Sequence, residues 1–177
     1  ITFTVEDSSK AQKIEMKDDV TKVQISKTDI SGKELPGAKL TILDKDGKVV
    51  ESWTSEEKAH YIEMLPIGAY TLREETAPDG YVLASDMQFT VNPDGTITTV
   101  DMKDDTTKVS ITKKDITGEN EIAGATLEVW DMQGNVIDSW VSDGTAHEIS
   151  GILTAGAKYI LHEVSAPDGY VVATDVE

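Results

Sequence analysis

The chain is written twice, and that limits its architecture more than any other feature. The stretch "TKVQISKTDISGKELPGAKLTILDKDGKVVESW" from Thr21 returns as "TKVSITKKDITGENEIAGATLEVWDMQGNVIDSW" from Thr107, with one inserted residue. Further on, "YTLREETAPDGYVLASD" from Tyr70 returns as "YILHEVSAPDGYVVATD" from Tyr159. Self-similarity of this kind marks a module repeated in tandem. Inside each copy, short alternating runs are separated by turn signals ("DKDG", "MQGN", "NPDG", "APDG") and no helical apolar period is visible. The spacing predicts an all-β protein, a β-sandwich per repeat.

The copies differ at their ends. Repeat one continues from "GYVLASD" into "MQFTVNPDGTITTVDMKDD", two further strands, whereas repeat two reaches only "GYVVATDVE". The first residues, "ITFTVEDSSKAQKIEMKDD", carry the pattern of the strands that repeat two lacks. Reading residue 177 into residue 1 parallels repeat one with two extra residues. The predicted organisation is therefore a complete module over 20–105, a module over 106–177 without its last strands, and terminal strands over 1–19 that complement it. Trimming of a longer array and permutation both produce such a pattern.

Strand parity singles out ionisable residues. Side chains alternate between faces along a strand. Val23, Ile25 and Lys27 thus share a face, as do Tyr70, Leu72 and Glu74, and Val100, Met102 and Asp104. Repeat two has the corresponding rows ending in Lys113 and Glu163, and its aspartate counterpart is Asp18, at the end of Ile14 and Met16. Charges at strand ends can simply snorkel into water, and a buried ion pair is a second account, although desolvation offsets much of its attraction. A third account is covalent. Burial disfavours charge on amines and carboxyls alike, and a neutral amine beside a protonated carboxyl is a nucleophile beside an electrophile. Lys27 could then attack the Asp104 carboxyl, with Glu74 carrying protons to the departing oxygen.

Composition bounds the partners. A formal charge of −17 at pH 7 disfavours nucleic acid and anionic membrane. Cysteine is absent, which removes disulfides, thiolate metal sites and cysteine nucleophiles. No apolar stretch reaches the length of a membrane span and no signal-peptide pattern opens the chain, so it reads as a mature fragment. "DKDG" at 44–47 lacks the distal glutamate of a calcium loop and reads as a turn. His60, His147 and His162 have no nucleophile partner and read as ordinary strand residues, while Trp53 and Trp140 read as packing on the sandwich. No metal or cofactor is expected, nor turnover of a substrate.

"ISKTDISGKELPGAKLTI" followed by "YTLREETAPDGY", with their second copies, resembles the Cna B-type (SpaA-like) domains of Gram-positive surface adhesins and pilins. The resemblance covers essentially the whole chain. It implies a transthyretin-like β-sandwich with an intramolecular isopeptide bond from a first-strand lysine to an Asn or Asp of the last strand, assisted by a Glu. By position, the lysines are Lys27 and Lys113, the catalytic glutamates Glu74 and Glu163, and the acceptors Asp104 and Asp18. Glu75, Asp101, Asp105 and Asp19 have the other parity. The implied role is a cell-wall-anchored, extracellular stalk or pilus spacer, in which Asp18 of one chain meets Lys113 of the next, head to tail. An adhesive module for a host matrix protein or glycan is the alternative, without an aromatic platform or charge cluster to support it.

Overall fold

A computed structural model describes residues 2–177, and every regular element among them is a β-strand. The first module contains β1 (Lys22–Asp29), β2 (Lys39–Leu43), β3 (Val49–Thr54), β4 (His60–Glu63), β5 (Gly68–Thr76), β6 (Met87–Val91) and β7 (Ile97–Asp104). The second contains β8 (Lys108–Ile111), β9 (Ala123–Asp131), β10 (Val136–Asp143), β11 (His147–Ser150) and β12 (Tyr159–Ser165).

The first module is a sandwich of two sheets, ordered β4-β1-β7 and β3-β2-β5-β6. Alternation drives it: in β1 the residues Val23, Ile25 and Lys27 are buried while Lys22, Gln24 and Ser26 are half-buried, and in β7 Val100, Met102 and Asp104 are buried between exposed residues. Leu40, Ile42, Leu72, Phe89 and Val91 supply the opposing face of the core. First and last strands run parallel and side by side, with Lys27 opposite Met102 and Asp29 opposite Asp104. Parallel neighbours require a long crossover, and here the rest of the module is that crossover.

The second module repeats the design only in part. Its sheets are β11-β8 and β10-β9-β12. Nothing among the described residues pairs with the second edge of β8, and beyond β12 only a single bridge, Leu161 to Val176, begins what β6 does in the first module. The cost shows on β8, where Val109 is 38% exposed against 0% for its counterpart Val23. The expected strands over 1–19 are not formed: residues 2–21 have no strand, Ile1 lies outside the described residues, and Phe3, Val5, Ile14 and Met16 are exposed. A strand pair without a sheet to join is marginal in water, which accounts for the difference.

The histidines sit in or near strands, each with a definite task. His60 stacks on Trp53 and pairs with Glu51, and His147 stacks on Trp140 and pairs with Asp138. His162 lies against Trp130 and pairs with Asp175. At "DKDG" the Asp44 carboxylate accepts the N–H groups of Asp46 and Lys48, which makes the stretch a turn capped by its own side chain.

Candidate functional site

Three ionisable side chains meet inside the first module. Lys27 and Asp104 come from adjacent strands of one sheet, and Glu74 reaches them from β5 of the other. The parallel register sets Lys27 one inward position short of Asp104, and two residues of strand span about 7 Å, within reach of a lysine stem. All three are almost wholly buried: Lys27 is 1% exposed, Glu74 3% and Asp104 1%. Lys27 Nζ lies 3.0 Å from Glu74 Oε1 and in close contact with Asp104 Oδ1.

The electrostatics raise the acceptor's affinity for a proton. Burial pushes the Asp104 carboxyl up to about 6; the hydrogen bond and charge of Lys27 oppose that rise, and Glu74 adds to it. Asp104 Oδ2 is buried and has no hydrogen-bond partner, so nothing but the Lys27 contact at Oδ1 offsets the cost of a charge on this carboxyl. Asp101, of opposite parity, faces outward and accepts a hydrogen bond from the Thr28 hydroxyl at 2.7 Å. Asp105 bonds Lys108 at the surface, and Glu75 is exposed.

One element of the site escapes a reading by parity. The backbone N–H of Ala84 donates to Glu74 Oε2 at 2.6 Å, and that of Ala173 to Glu163 Oε2 at 2.5 Å. The Ala-Pro-Asp-Gly-Tyr turn thus returns the chain so that an amide ten residues after the glutamate fixes its carboxylate. The identical spacing of Glu and Ala in both copies is the signal for it.

The second module holds two of the three groups. Lys113 Nζ lies 3.1 Å from Glu163 Oε1, but the lysine side chain is 17% exposed. A cleft of about 190 Å³ opens there, lined by Lys113, Leu127, Leu161, Glu163 and Val176 among others. Asp18 is not brought to it; it is exposed, in the segment without strands.

A tandem pair of β-sandwiches, each with a lysine and a glutamate aimed into its core, defines a class of repeated structural modules. The family model for SpaA, a prealbumin-like fold domain, matches residues 21–106 and 107–177. The chain belongs to that family. Among similar proteins, serine-aspartate repeat-containing protein F of Staphylococcus epidermidis is 30% identical, over 82% of this chain and 10% of that protein. The Bacillus anthracis TIE protein is 26% identical with a TM-score of 0.51, over 87% of this chain and 30% of that one. The shaft pilin SpaA from Lactobacillus rhamnosus GG is 16% identical with a TM-score of 0.45, over 89% of this chain and 92% of that one. The chain spans 10% of the length of the curated relatives it matches.

Proposed function

We propose that the chain is a stalk or spacer segment of a Gram-positive surface or pilus protein, and that it crosslinks itself. The observation that carries this reading is the buried contact of Lys27 with both Glu74 and Asp104. In the reaction Lys27 Nζ attacks Asp104 Cγ, the C–N bond forms, and one carboxyl oxygen departs as water. Glu74, held by the Ala84 amide, takes a proton from the amine and returns it to the departing oxygen. Fixed proximity in a dry core supplies rate that free amines and acids lack in solution. Lys113, Glu163 and Asp18 form the equivalent set across two molecules. The 2–19 segment of one chain adds its strands to the open edges of β12 and β8 in the next, as β6 and β7 do on β5 and β1, seating Met16, now 73% exposed, where the first module buries Met102.

Intact mass spectrometry under denaturing conditions tests both parts. A monomer lighter by one water and a ladder of multimers that survives denaturant are expected, and Asp18→Ala should abolish the ladder while leaving the monomer's loss unchanged. A monomer of full calculated mass overturns the covalent reading; a ladder that persists in Asp18→Ala overturns the assignment of Asp18.

The reaction should also slow as pH rises through about 6. The productive arrangement needs a protonated Asp104 carboxyl, and that proton is lost there. The same displacement ties to stability before the bond forms. A carboxyl raised from 3.8 to about 6 contributes stability that is full below 3.8 and lost as pH rises through 6. Chains translated and folded in vitro at pH values on either side of 6, then quenched in denaturant and weighed, should show slower water loss on the alkaline side. Rates that are flat or rise there overturn the protonation scheme.

A further inference from the structure

The two modules meet through backbone. Val82 N–H donates to Asp105 O at 2.9 Å, Thr107 N–H donates to Gly80 O at 2.8 Å, and Tyr81 bridges Thr106. Gly80, at φ +81, comes so close to Gly151 that a Cβ on it would lie 2.1 Å from the Gly151 carbonyl oxygen. The surface offered by the second module is held from within: Thr107 Oγ1 donates to Leu153 O at 2.5 Å, and Gly151 N–H to Thr107 O at 3.0 Å.

Both halves of this joint recur, unpaired, at the far ends of the chain. The Pro167–Tyr170 turn copies the Gly80 turn: Gly169 has φ +87, with nothing within 4 Å of where its Cβ would sit, and Tyr170 is exposed. At the opposite pole, Thr21 Oγ1 donates to Leu65 O at 2.6 Å and Met64 N–H to Thr21 O at 3.0 Å, matching Thr107 and Gly151. Asp19 caps the Val20 amide at 2.8 Å and pairs with Lys22, as Asp105 caps Thr106 and pairs with Lys108. Met64 keeps φ at 63, the left-handed conformation of Gly151, which few residues other than Gly, Asn and Asp adopt. Thr21 N–H and Val171 N–H have no backbone partner among the described residues, whereas their counterparts make the joint.

We infer that the Pro167–Tyr170 turn is a docking surface for the Asp19–Lys22 and Met64 pole of a second copy of this chain. Val171 N–H donates to Asp19 O, Thr21 N–H donates to Gly169 O, and the exposed Met64 side chain covers the turn. The copy is a second one because β1 and β7 separate the two ends of the first module by about 26 Å, and the second module lies beyond. The joint shares its head-to-tail direction with the strand donation proposed above but needs neither the bond nor Lys113.

Amide hydrogen exchange by NMR on the full-length Lys113→Met chain, which cannot form the intermolecular bond, tests it over a range of concentration. Exchange at Thr21 and Val171 should slow with concentration, and Met64→Asp should weaken that association about tenfold by setting a carboxylate against the Gly169 carbonyl. Asp tolerates the left-handed backbone, so this variant keeps its fold. Protection at Phe3–Asp18 without protection at Thr21 and Val171 overturns the joint and leaves strand donation standing. Protection at Thr21 and Val171 alone supports the joint and removes strand donation. No concentration dependence at Thr21 and Val171, or none of its loss in Met64→Asp, overturns the joint.

Discussion

A Lys27→Ala chain is expected to keep its full calculated mass, and its first module is expected to melt roughly 20 to 30 °C below the parent. The size follows from the loop. Lys27 and Asp104 stand 77 positions apart, and a crosslink over such a span removes unfolded-state entropy worth about 4 to 5 kcal/mol. In a module of this size each kcal/mol moves the midpoint by about 4 to 8 °C. The substitution also leaves Glu74 and Asp104 facing each other without a cation, which adds to the loss. Asp104→Asn separates the two effects, because an amide acceptor still yields the bond and releases ammonia in place of water. Calorimetry with parallel mass measurement should therefore show Asp104→Asn melting near the parent and Lys27→Ala far below. A midpoint for Lys27→Ala within a few degrees of the parent removes the crosslink from the stability of this module.

Glu74→Gln should leave the fold in place and slow crosslinking by about 10² to 10⁴, the range that a positioned proton carrier supplies. The amide oxygen still accepts the Ala84 N–H, so the side chain keeps its position. What it loses is the capacity to take a proton from Lys27 and pass it on. Chains sampled soon after synthesis should have full mass, with the water lost over hours. Parent-like yield at the earliest time point takes Glu74 out of the chemistry and leaves it a packing role.

Strand parity read much of this arrangement without coordinates. Val-x-Ile-x-Lys, Tyr-x-Leu-x-Glu and Val-x-Met-x-Asp each put their last residue on the apolar side, and Lys27, Glu74 and Asp104 are buried accordingly. Parity says which face a side chain takes but not which strands are neighbours. The parallel contact of β1 with β7, which sets Lys27 beside Asp104, joins residues far apart in the chain and leaves no local mark. The Ala84 amide that holds Glu74 is a backbone donor, invisible to side-chain patterns. The joint at Gly80 is also made by main chain, and the left-handed Met64 carries no residue signal at all. Residues 2–19 have a strand pattern without strands, since a pattern gives a face and only a partner gives a ladder.

The parallel pairing of first and last strands has a consequence for how such a segment can vary. With Lys27 joined to Asp104, tension entering at Thr21 leaves β1 at Lys27, crosses the new amide and exits at Asp105. Every residue from Thr28 to Lys103 lies on a side branch that carries no load. Those loops and outer strands can then change in sequence without weakening the tether, and a surface exposed to selection can be redrawn while the line under tension stays the same.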